Sequence, residues 1–231
     1  GGRVPASRRV DGVGRIDDLA DRYVADWAAL NPTGATYVGI SGHDHRLGDL
    51  SPEGFAAQAE LTRRTLTELD VTEPETEAQR IAKEAMQERL GLELARHEAG
   101  EVASEVSVIT SGLHDIRQVF DLMPTQGPEA VANIAARLGE FAGAVEAYKT
   151  TLRTEADAGR VSAQAQLVEV AKQCDTWTDP RRDNFFHGLV DRLTAENPIL
   201  AGGSTLGAEL RRGAAAATAA TAEFARFLRA E

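Results

Sequence analysis

Apolar residues recur along most of this chain at spacings of three and four, which places them on one face of an α-helix. Ile16, Leu19, Tyr23, Trp27 and Leu30 form the first such stripe, and Asn31-Pro32 ends it. Ser51-Pro52 supplies a capping hydroxyl and a proline at the first helical position, so a second helix is expected from there to about Leu69. Glu73, Glu75 and Glu77 suit the positive end of a third, which Ile81, Ala85, Met86, Leu90 and Leu94 carry to near Glu98. A short fourth helix is expected from Leu113 to Leu122, ahead of Met123-Pro124. The most regular stretch runs from Pro128 to about Ala158, where Val131, Ile134, Leu138, Phe141, Val145, Tyr148 and Leu152 form a heptad-like seam. A helix hairpin inside one bundle produces such a seam, and so does a coiled-coil dimer.

Ser162 opens a sixth helix through Leu167, Val170, Ala171 and Cys174. Asp179-Pro180 opens a seventh that turns Phe185, Phe186, Leu189 and Leu193 inward and stops by Asn197-Pro198. Ser204 opens the last, with Leu206, Leu210, Ala217, Thr221, Phe224 and Leu228 on one face. Two stretches break the period. Thr33 to Leu50 is glycine-rich and is expected to be a loop, with a short extended piece around Thr36 to Ile40. Val102 to Thr110 is β-branched, but a lone strand has nothing to pair with, so helix or turn is expected. The fold expected is all-α, a bundle of about eight helices around a long central antiparallel helix pair. Residues 1–15 read as a flexible tail, and 16–231 as one helical domain. The last helix is still periodic at Glu231, so the pattern is expected to continue beyond it.

Composition narrows the partners. With 42% hydrophobic and 26% charged residues, the chain lies far from the low-hydrophobicity corner where sequences stay disordered. A net charge of −11 repels phosphate, so neither nucleic acid nor an anionic membrane is an expected partner. No run approaches the roughly 18–20 apolar residues of a membrane span, and the opening residues lack the apolar centre of a signal peptide. A cytoplasmic location is therefore expected. Cys174, the only cysteine, rules out an intrachain disulfide and a cysteine zinc cluster, and its place on an apolar stripe suits an inert buried thiol.

The candidate chemistry is sparse. His97-Glu98 begins like a zinc-peptidase helix, but the second histidine should stand where Glu101 does, so His97 reads as a cation at a helix C-terminus. His43-Asp44-His45-Arg46 is the densest polar cluster. Two imidazoles and a carboxylate could seed a metal site in an extended segment, but no third ligand is identifiable. The cluster reads instead as a structured loop, with Arg46 held by a carboxylate and Tyr37 buried. His114, Asp115 and Arg117 sit at the start of a short helix, where Asp115 fits a first-turn acid and no nucleophile is in view. His187, beside Phe185 and Phe186, reads as partly buried. No phosphate-binding glycine loop or nucleophile elbow is present. No catalytic residue, metal ligand or cofactor is expected in this chain.

The run Asn31-Pro32-Thr33-Gly34-Ala35-Thr36-Tyr37-Val38-Gly39, followed by His43-Asp44-His45-Arg46-Leu47-Gly48-Asp49-Leu50-Ser51-Pro52-Glu53, resembles the N-terminal signature of the bacterial family catalogued as domain of unknown function 885. Asp115 to Pro124 resembles that family's segment ahead of its long central helix pair. Family members are longer and resemble zinc metallopeptidases whose active-site helix bears His-Glu-x-x-His, in a C-terminal half these residues do not contain. The resemblance implies the N-terminal, substrate-channel portion of a zinc-dependent peptidase or amide hydrolase, inactive alone. The zinc would belong to the C-terminal half, which would be the partner, in the same chain or a separate one, and the substrate would be peptide-like. No metal ligand or general base carries over, because no residue here matches those positions. His43, Asp44, His45, Arg46, His114, Asp115 and Arg117 are the candidate channel or inter-half contacts. The alternative is a non-catalytic helical interaction module that binds a partner, or itself, through the seam from Val131 to Leu152.

Overall fold

Side-chain caps set several of the helix starts. In the computed structural model, which describes residues 15–182 and 184–230, Ser51 Oγ accepts the Gly54 amide at 3.1 Å with Pro52 in the first turn. Thr76 and Ser111 do the same for the helices that follow them. The helices are α1 (Arg15–Leu30), α2 (Pro32–Tyr37), α3 (Pro52–Val71), α4 (Glu77–Glu98), α5 (Glu101–Ser104), α6 (Gly112–Gln118), α7 (Pro128–Asp157), α8 (Gln164–Thr178), α9 (Phe185–Glu196) and α10 (Thr205–Ala230). Short 3-10 turns follow α6 and α9, at Val119–Asp121 and Pro198–Gly203. Among the described residues 78% are helical, far above the usual third or so, and the expected all-α bundle is what forms. The expected tail, apart from Arg15, lies outside the described residues.

Three boundaries differ from expectation. Where a loop with an extended piece was expected, α2 forms, because Asn31 Oδ1 accepts the Gly34 amide at 2.8 Å and Pro32 opens the turn. This is the Ser51-Pro52 device again, hidden among glycines. The seventh expected helix, α9, starts at Phe185 instead of Pro180, since Asn184 Oδ1 is the group that caps it. The sixth, α8, starts at Gln164. The Ser162 hydroxyl is spent elsewhere: it donates to Ser104 O at 2.9 Å and accepts from the Val106 amide.

The seam of α7 is consumed inside the molecule. Val131, Ile134, Leu138, Phe141, Val145 and Tyr148 are all buried in one large cluster with residues of α6, α8, α9 and α10. Phe141 meets Phe186 edge-on at 4.9 Å, and Tyr148 stacks on Phe224 at 5.7 Å. Three contacts fix the relative direction of the two long helices. Leu138 lies against Gly213, Tyr148 against Phe224 and Arg153 against Phe227, so α7 and α10 advance together. The long central pair is therefore parallel, not antiparallel as expected. The antiparallel neighbour of α7 is the shorter α9, which sets Phe186 against Phe141 and Asn197 beside Gly127. A side chain at Gly213 would place its Cβ 2.7 Å from Leu138 Cβ, so glycine permits the close approach of α10 to α7.

A second, smaller cluster stands apart from the first. Ile16 and Leu19 of α1, Leu69 of α3 and Leu90 of α4 are buried together, with Tyr23, Leu66, Ala82 and Met86 packed around them. We refer to α1, α3 and α4 as the arm and to the remainder as the body.

Candidate functional site

The polar segment 31–50 lies across α7, and one buried arginine organises it. Arg137 is 0% exposed. Its Nε donates to Arg46 O at 2.8 Å, and its Nη2 donates to Thr36 Oγ1 at 2.8 Å and Pro32 O at 3.1 Å, with His43 O at 3.4 Å. The Thr36 hydroxyl in turn donates to Asp44 Oδ1 at 2.8 Å. Burial pushes the Arg137 pKa down, and the Asp44 and Glu140 carboxylates oppose that by favouring the cation. Glu140 also accepts the Leu47 amide at 2.7 Å, which seats Leu47 in the core. A segment with little regular secondary structure must satisfy its carbonyls somewhere, and here a guanidinium does it.

This arrangement places the candidate residues differently from the sequence reading. Arg46 and His45 are exposed, and His43 and Asp44 are half-buried. No carboxylate pairs with Arg46 among the described residues; its carbonyl, not its side chain, is the group that is held. Tyr37 was expected to be buried but is 41% exposed, and its hydroxyl donates to Asp115 O at 3.4 Å. His114 is buried between Ser111 Oγ, 2.7 Å from Nδ1, and Gln173 Oε1, 2.9 Å from Nε2. An amide oxygen only accepts, so Nε2 carries the proton and Nδ1 accepts from the Ser111 hydroxyl. Burial pushes the His114 pKa down, in keeping with that neutral ring. His114 thus ties α6 to α8. Arg117 pairs with Asp121 at 2.6 Å and lies 3.7 Å above the Phe185 ring. His187 is exposed, where partial burial was expected. Cys174 is buried, and that burial pushes its thiol up to about 12.

Asp115 is the candidate that opens onto a cavity. A cleft of about 210 Å³ lies where the arm meets the body, bordered by Gln58 of α3 and Arg96 of α4 on one side. Asn31, Glu105, Ser111 and Asp115 border it on the other. Burial raises the Asp115 pKa to about 6, and the Glu105 carboxylate adds to the rise. Asp115 is itself exposed to solvent, so the shift is screened and its energetic weight is small. Near neutrality Asp115 can accept a hydrogen bond or, once protonated, donate one. Beside it, Asn31 and Gln58 add amide groups of the kind that recognise a peptide unit. Among the described residues no three His, Cys, Asp or Glu side chains gather closely enough to hold a metal ion. His43 and His45 share one loop, His97 and His187 lie on α4 and α9, and His114 on α6 has both ring nitrogens engaged.

The raised pKa of Asp115 makes stability pH-dependent. A carboxyl whose folded pKa exceeds its unfolded value penalises the folded state once it ionises, so this contribution falls as pH rises from about 4 to about 6. Asp115→Asn removes the penalty. Thermal melts should show the variant above wild type at pH 7, with the gap closing as pH approaches 4. A gap independent of pH would contradict this origin.

Sequence reasoning missed both Arg137 and the cleft. The signal for Arg137 was a charge lodged between seam residues, one position before Leu138 and three after Ile134. The cleft is built from residues 31 to 116, brought together only by the packing of two helical units.

A family model described as "Bacterial protein of unknown function (DUF885)" matches residues 32–231. No curated protein matches the chain.

Proposed function

The chain belongs to this DUF885 family, and on that premise we propose that it forms the substrate-binding wall of a zinc-dependent hydrolase for peptide-like compounds. The zinc and the catalytic groups would come from a peptidase-like half, in the same chain or a separate one. The observation that carries this reading is the cleft between arm and body. It combines amide, hydroxyl and carboxylate groups around a volume that suits one or two residues of a peptide. Such a surface binds and orients, and leaves bond cleavage to groups elsewhere. A cytoplasmic setting belongs to the same proposal, since the one thiol is free and suits a reducing compartment. Among the described residues no helix is long and apolar enough to cross a membrane. The interaction-module reading lacks a comparable observation, because the seam that would carry it faces the body's own core.

Calorimetric titration with acetyl-trialanine amide tests the proposal. Saturable binding is expected, weakened at least about tenfold when Gln58→Ala and Asp115→Asn are combined; tenfold corresponds to about 1.4 kcal/mol. Absence of binding, or equal affinity in the double variant, would overturn it.

A further inference from the structure

The arm and the body each hold together far better than they hold each other. Within the arm, Arg22 pairs with Glu68 at 2.9 Å and Arg64 with Asp26 at 3.0 Å, tying α1 to α3. Gln79 donates to Asp17 at 3.1 Å, tying α4 to α1, and Gln87 donates to Asp70 at 2.7 Å, tying α4 to α3. The arm also has its own apolar cluster around Leu69. Across the boundary the picture changes. Among the described residues, Phe55 is the apolar arm side chain that packs on the body's core cluster. The ion pairs that cross among the described residues come from Arg96, to Glu101 at 3.4 Å beside the junction itself and to Glu105 at 3.6 Å a turn further on. Both pairs are substantially solvent-exposed, where such contacts contribute little.

The chain crosses between arm and body three times, and each crossing is a helix end. The first is Asn31, between α1 and α2, and the second is Ser51, which caps α3. The third is Gly100, between α4 and α5, with φ at +75°. All three stand close to the cleft, whose border includes Asn31, the Gly48 to Leu50 stretch and Val102. Helix-terminal residues are where backbone rotation is absorbed when one packed unit swings against another. The segment between the first two crossings cannot follow the arm, because Arg137 fixes it to α7.

From this we infer that α1, α3 and α4 form a hinged lid, which rotates as a unit about Asn31, Ser51 and Gly100 and opens or closes the cleft that Gln58 and Arg96 border. The hinge joins two independently packed bodies, with a polar cavity at the seam between them and the exposed Arg96 as latch. That it closes on a peptide rests on the function proposed above; the hinge itself does not.

Spin-label distance measurements on the whole chain separate the two. Labels at Arg89→Cys on α4 and Thr150→Cys on α7 span the hinge, while Thr150→Cys with Ala215→Cys on α10 gives a reference inside the body. The native Cys174 is buried and leaves the introduced thiols as the reactive ones. The distribution across the hinge should be at least about twice as wide as the reference, and Phe55→Ala or Arg96→Ala should widen it further. A distribution as narrow as the reference, unmoved by either substitution, would overturn the lid. Acetyl-trialanine amide should narrow the wide distribution. A wide distribution that the peptide fails to narrow sustains the hinge and counts against the binding reading.

Discussion

Arg137→Ala lowers the stability of the folded chain by about 3–5 kcal/mol, the expected loss when a buried charge that satisfies several groups is removed. The substitution leaves the carbonyls of Pro32 and Arg46 and the hydroxyl of Thr36 facing a void instead of a guanidinium. For a chain of this size the melting temperature falls by roughly 10 °C or more. Arg137→Lys recovers little, because an ammonium cannot reach groups spread around a planar fork. Arg46→Ala, by contrast, stays within about 0.5 kcal/mol, since its side chain is exposed and only its carbonyl is used. Chemical denaturation of the three variants checks the ranking. Equal losses for Arg137→Ala and Arg46→Ala would show that the segment is held by something other than the arginine on α7.

Leu69→Ala has a comparable effect on the arm alone. Leu69 is 0% exposed in a cluster whose other buried members are Ile16, Leu19 and Leu90. Truncating it costs about 2–5 kcal/mol, which so small a cluster has few other contacts to absorb. Because the body keeps its own core around Phe141 and Phe224, the loss is confined. Hydrogen exchange should accelerate in α1, α3 and α4 while α7 and α10 keep their protection. Uniform acceleration through all of these helices would mean that arm and body unfold as one.

These two outcomes mark what the sequence could and could not disclose. Helix positions were legible because the apolar spacing is local, and Ser51-Pro52 or Pro128 announce their own starts. The α2 helix was hidden because Gly34 and Gly39 lower helix propensity around an asparagine cap that works in the same way as a serine cap. The direction of the long pair was beyond local pattern. A heptad-like seam says that α7 buries a face, and the same face serves a parallel or an antiparallel neighbour. The split of the apolar residues into two clusters was equally invisible, since the stripes of α1 and α7 differ in length and not in kind.

Among the candidate residues, Asp44 and Asp115 were singled out for their charge, and the structure ties one into the Arg137 network and opens the other onto the cleft. Among the histidines, His114 ties α6 to α8, while His45 and His187 face solvent. The side chains that border the cleft mix amides and hydroxyls with charged and apolar groups, form no sequence motif, and acquire meaning only when α3 and α4 meet α6.

The central claim is that this cleft receives a peptide-like ligand. Solving the structure of the chain with acetyl-trialanine amide bound tests it most directly. The account predicts peptide density between Gln58 and Arg96 on one side and Ser111 and Asp115 on the other, with at least one peptide amide hydrogen-bonded to this set. A peptide seated on any other surface while the cleft holds only solvent would contradict it.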